Sequence, residues 1–68
     1  MNAKYLIMFQ CADANLMFLT NEDPFLEGNL PKLVLAYLSQ IDMVEAYEQV
    51  DWDSMEIKER EELQIISL

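Results

Sequence analysis

The sequence predicts a small α+β domain: an antiparallel sheet, made of an N-terminal hairpin plus one or two C-terminal strands, packed on one central helix. Three observations lead there. Residues 29–41 carry the apolar spacing of an amphipathic helix, two short branched and aromatic runs precede them, and further strand-like residues follow. The helix is the best defined element. Leu30, Leu33, Val34, Tyr37, Leu38 and Ile41 recur at intervals of three and four residues and so form a single stripe that must be buried. Asn29 is suited to cap its first turn, and Pro31 falls where a missing N–H costs no hydrogen bond.

Before it, residues 4–11 (KYLIMFQC) and 15–20 (NLMFLT) read as strands, too short and too rich in branched and aromatic residues for helices. The break between them holds Asp13, and Asp13 or Asn15 is the expected turn residue of an antiparallel hairpin. Tyr5, Ile7 and Phe9 should face one way and Leu6 and Met8 the other; in the second strand Leu16 and Phe18 oppose Met17 and Leu19. Both faces are therefore apolar. A hairpin with one wet face alternates apolar with polar residues, and one helix covers one face only, so the second face calls for more chain, a second copy or a partner. A homodimer through this apolar sheet face is one expectation.

Residues 20–28 (TNEDPFLEG) collect turn formers, including one of the two prolines and the only glycine, and read as a loop in which Phe25 and Leu26 staple the chain to the core. Residues 42–52 admit helix or strand. A strand near 44–50 is favoured, because a hairpin and one helix need more sheet to be stable and valine and tyrosine suit strands. Asp53 or Ser54 is suited to cap a short helical turn through SMEIKEREEL, with Asp53 and Glu56 at capping-box spacing and Lys58 four residues before Glu62. The terminal LQIISL reads as a last strand.

Length and composition limit function. The 68 residues make one domain, 1–68, and a chain this short buries only about 60% of the surface its unfolded form exposes, so it commonly needs a disulfide, a metal or a second subunit. Cys11 is the only cysteine and there is no histidine, which removes an intramolecular disulfide and a tetrahedral zinc site and leaves association. Hydrophobic residues make up 53% of the chain, which argues against disorder despite a net charge of −9. The lone cysteine suits a reducing compartment, the start MNAKYLIMFQ does not resemble a secretory signal, and no apolar run approaches a membrane span. A cytoplasmic protein is expected.

Without histidine the common general base and nucleophile activator are missing, and Cys11 has no cationic neighbour in sequence to lower its pKa, so no catalytic residue is assigned and a core role is expected for Cys11. No cofactor is implied. Asp51, Asp53 and Glu56 echo part of a calcium or magnesium site, but the stretch lacks the glycine of the usual calcium loop, and no metal ligand is assigned. Four basic residues against thirteen acids disfavour direct nucleic-acid binding.

The acids are unevenly spread: nine of the thirteen lie between Asp42 and Glu62, about one every third residue. Asp42, Glu45, Glu48, Asp51, Asp53, Glu56 and Glu59, with Trp52 among them, are the candidate partner-binding residues. Dense carboxylates imitate phosphates and suit a protein partner with a basic surface; the plainer reading is a solvated face that keeps an apolar chain soluble. Trp52 offers an interface anchor within an acidic surround, although a lone tryptophan also suits the core of so small a domain, and that position is favoured. In composition alone, the short acidic chain without catalytic residues looks like the small inhibitors that bacteriophages and other mobile elements direct against host defence nucleases. That likeness implies an inhibitor blocking a basic surface of a nucleic-acid-binding protein. The alternative is a homo-oligomeric structural or assembly subunit whose acidic run gives only solubility.

Overall fold

The structure, a computed structural model, describes residues 4–59. Strands β1 (Tyr5–Cys11) and β2 (Ala14–Thr20) are followed by helix α1 (Asn29–Gln40), a 3-10 helix (Val44–Gln49) and strand β3 (Val50–Glu59). The three strands form one antiparallel sheet in the order β2-β1-β3, so β1 is the middle strand and the domain is the small α+β fold expected.

Side-chain alternation in β1 builds the core. Ile7, Phe9 and Cys11 point to the helix and are buried with Leu33, Val34 and Leu38 of α1 and Val50 of β3. Each such aliphatic or aromatic side chain contributes about 1.5–3 kcal/mol when fully buried. The Cys11 thiol donates to the Ala46 carbonyl oxygen at 3.1 Å and so ties β1 to the 3-10 helix. Phe9, Phe18 and Tyr37 form an aromatic cluster in which the Phe18 and Tyr37 rings stack at 4.6 Å.

The hairpin has the expected pairing, from Tyr5 with Thr20 to Cys11 with Ala14, and a two-residue loop. The turn residue differs from expectation: Ala12, not Asp13 or Asn15, takes a positive φ of 55°, and Asn15 lies within β2. Positive φ at the first loop residue alone is the pattern of a type II′ turn, the hand that matches strand twist.

The loop before α1 is fastened by residues other than those expected. Phe25 and Leu26 stay exposed, the Phe25 ring meeting the Tyr5 ring edge-on at 6.0 Å, while Pro24 is buried. The Asp23 carboxylate accepts the Phe25 N–H at 2.8 Å, which turns the chain so that the proline ring faces inward. Asn29 does not cap α1. It is already helical, Gly28 is the N-cap with φ 77°, and the Asn29 side-chain amide donates to the Asp23 carbonyl at 2.6 Å. The stripe is buried at Leu33, Val34 and Leu38 and half-buried at Leu30 and Tyr37; Ile41, just past the last helical residue, is exposed.

After α1 the expected strand near 44–50 is replaced by the 3-10 helix. Asp42 has φ 61° and donates its N–H to the Ser39 carbonyl, and Met43 donates to the Leu38 carbonyl at 2.7 Å, which together make a Schellman end with aspartate in the left-handed position usually held by glycine. This turn pins Met43 to the core, and Ala46, Tyr47 and Val50 then reach it at intervals of three and four, a helical spacing that leaves Val44 exposed. The helical turn expected from Asp53 is instead part of β3. Ile57 pairs across from Ile7, and Met55 and Ile57 pack on the core two residues apart, so the open edge of β1 selects the extended form over a helix with no full apolar stripe. The expected strand LQIISL and Glu62 lie outside the described residues. Among those described, no helix is long and apolar enough to cross a membrane.

Two side-chain-bearing residues thus hold left-handed backbone that glycine adopts without penalty. Ala12→Gly and Asp42→Gly are each expected to raise unfolding stability by about 0.5–1 kcal/mol, read as a higher denaturation midpoint at unchanged slope. A lower midpoint in either variant would contradict the assigned turns.

Candidate protein-binding surface

The candidate residues occupy the outer edge of the sheet along β3 and the 3-10 helix that leads into it. Asp42 sits at the Schellman turn, Glu45 and Glu48 on the 3-10 helix, and Asp51, Trp52, Asp53, Glu56 and Glu59 on β3; all eight are exposed. Trp52 is 41% exposed and meets Tyr47 edge-on with ring centroids 6.0 Å apart, so it is not the core residue that its rarity favoured. Cys11 is in the core, as expected.

A large bulge sets the geometry. Between Met8 and Gln10 the partner in β3 moves from Glu56 to Asp51, so the single residue Phe9 is opposed by residues 52–55. Three hydrogen bonds close it. The Asp51 carboxylate accepts the Asp53 N–H at 3.1 Å, the Ser54 hydroxyl donates to the Asp51 carbonyl at 2.7 Å, and the same hydroxyl accepts the Gln10 N–H at 2.8 Å. Ser54 Oγ therefore replaces the ladder carbonyl that the bulge takes away from Gln10. The excursion carries Trp52 and Asp53 outward at the end of the sheet where the 3-10 helix lies.

The carboxylates do not share one face. Asp51 and Glu56, opposite Gln10 and Met8, belong to the face away from α1, whereas Glu59, opposite Tyr5, belongs to the helix side. Partial burial first, and then the Asp23 and Glu59 carboxylates, raise the Tyr5 phenol above the ordinary tyrosine pKa. The bulge groups Asp51, Trp52 and Asp53, and the Tyr47 contact links them to the helix bearing Glu45 and Glu48; Glu56 and Glu59 continue along the strand, and Asp42 stands at the far end of the 3-10 helix. Lys58 is the one basic residue between Asp42 and Glu59. Among the described residues no three acidic or thiol side chains converge on a common point, and the Asp51 carboxylate is already bonded to its own backbone. What results is an acidic ridge that wraps the β3 edge, with a half-exposed indole inside it.

Sequence reasoning offered Ser54 only as a possible helix cap and missed its role in closing the bulge. Its signal was there in hindsight, because Asp-Trp-Asp-Ser places two turn-forming side chains two and three residues apart inside a run otherwise suited to a strand. Comparison with protein-family models, curated proteins and solved structures finds no match for the chain.

Ser54→Ala removes the bridge between Gln10 and Asp51. The expected cost is about 1 kcal/mol of stability, with faster hydrogen exchange at the Gln10 amide. Unchanged Gln10 exchange would show that the hydroxyl does not close the bulge.

Proposed function

We propose that this chain is a non-catalytic protein-binding module that presents its acidic β3 ridge to the basic surface of a nucleic-acid-binding protein and blocks it. The observation that carries the reading is the placement of Asp42, Glu45, Glu48, Asp51, Asp53, Glu56 and Glu59, all exposed along β3 and the stretch leading into it, with Lys58 the one basic residue between Asp42 and Glu59 and Trp52 half-exposed among them. Such an edge offers what the basic groove of a nucleic-acid-binding protein recognises, closely spaced negative charge that speeds association, and adds one large apolar anchor to slow dissociation. An inhibitor of the kind mobile elements direct against host nucleases would use these features. Direct nucleic-acid binding is disfavoured by the same charge.

A second reading, a structural or assembly subunit, is favoured by a different observation: Met17 and Leu19 are 59% and 61% exposed on the opposite edge. The readings respond differently to salt, since a charge-driven complex weakens as salt rises and an apolar one holds.

The test uses the tagged full chain to capture proteins from host lysate, washed at low and then high salt, followed by titration of the captured protein. Glu45→Gln, Glu48→Gln and Glu56→Gln together leave the bulge hydrogen bonds intact, and are expected to weaken binding at least about tenfold and to flatten its salt dependence. Trp52→Ala, at an exposed position, is expected to keep the fold and lose about tenfold or more in affinity. A captured partner that resists high salt and ignores both variants would overturn the acidic-ridge reading.

A further inference from the structure

The two edges of the sheet differ in kind. β3 carries charges and a bulge, the usual devices against edge-to-edge pairing, whereas β2 (Ala14–Thr20, ANLMFLT) has no charged residue, no proline and no bulge against β1. Its backbone direction follows from β1. Gln10 and Ala12 turn their N–H groups toward the β3 side, to Ser54 and Gln49, so the alternate residues Tyr5, Ile7, Phe9 and Cys11 face β2. Their partners Thr20, Phe18, Leu16 and Ala14 are thereby committed to β1, and the main-chain groups of Asn15, Met17 and Leu19 point to the outer edge. Among the described residues no strand pairs with that edge.

We infer that the β2 edge is a homodimer interface, in which two copies join β2 to β2 antiparallel about a two-fold axis at Met17 and form one six-stranded sheet. The inference is independent of the acidic-ridge reading. The occupant is a second copy for two reasons. First, the register is self-complementary: an axis at Met17 sets Met17 against Met17 and Asn15 against Leu19, outward groups meeting outward groups for about six backbone hydrogen bonds. The same axis places Leu16 opposite Phe18 on the helix side, apolar against apolar. Second, the charge does not oppose it there. At a net charge of −9 two copies repel, yet Asp13, in the turn, is the only charged residue between Tyr5 and Thr20. Pairing through β2 sends the acidic β3 edges to opposite ends of the combined sheet, about 24 Å apart at ordinary strand spacing. This differs from the face-to-face dimer anticipated from the sequence, because the joining element is the strand edge and Met17 and Leu19 continue an apolar surface across the axis.

The experiment is sedimentation equilibrium of the full chain at low and high salt, with residue-resolved amide exchange. The expected result is a dimer that tightens as salt screens the two negative copies, with Asn15, Met17 and Leu19 amides that are slow in the dimer and become fast on dilution. Met17→Lys opposes two ammonium groups at the axis while lowering the net negative charge, and Met17→Pro removes an outward N–H at an edge position that tolerates proline. Each is expected to weaken dimerisation at least about tenfold with an unchanged far-ultraviolet spectrum. If the proline variant does not fold, the lysine variant decides. A monomer throughout would overturn the inference, as would a dimer indifferent to Met17→Lys. A monomer whose three amides are nevertheless slow would also overturn it, by showing that the chain covers its own edge.

Discussion

Ile7, Phe9 and Cys11 are buried because β1 is flanked by a strand on each side and overlain by α1, and no other segment meets so many neighbours. A hairpin alone is marginally stable in water, and three strands with an apolar face are about the least that holds together. The third strand therefore decides whether the core exists. β3 docks on β1 at both ends, through Tyr5 and Leu6 with Glu59 and Lys58 and through Gln10 and Cys11 with Asp51 and Val50, and relaxes only in the middle. With Val50 seated in the core, the 3-10 helix is drawn against Cys11, whose thiol completes the join to Ala46.

This arrangement also partitions charge. β1 is central and carries no charge, seven of the eleven acids among the described residues fall on β3 and on the turn and 3-10 helix leading into it, and the neutral β2 is left at the other margin. The acidic edge resists pairing with another strand and suits a basic partner; the neutral edge, with main-chain groups directed outward, suits strand addition. A chain with so small a core thus has two surfaces of opposite character, and they do not compete for the same residues.

The hairpin and the central helix were legible because each rests on a pattern that needs no tertiary information: short branched and aromatic runs around a break, and a stripe at intervals of three and four. Their details were not. Ala12 and Asp42 occupy left-handed backbone without being glycine, so the turn chemistry left no mark, and Asn29 had a suitable side chain that Asp23 engages instead. Residues 42–59 defeated local reasoning for a different cause. Asp53 and Glu56 satisfy a capping-box spacing, but the open edge of β1 offers a ladder of hydrogen bonds that one helical turn cannot match. The candidate carboxylates were correctly expected at the surface, since dense charge is costly to bury. That they wrap an edge rather than cover a face depends on the bulge, and the bulge depends on Ser54, which no periodicity singles out.

The most direct measurement is residue-resolved amide exchange along β1. With β1 as the central strand, the amides of Leu6 and Met8, directed toward β3, should exchange as slowly as those of Ile7 and Phe9, directed toward β2, all four opening only with global unfolding. Fast exchange at Leu6 and Met8 beside slow exchange at Ile7 and Phe9 would mean that β3 is not docked, and the acidic ridge with its bulge would then have no fixed geometry.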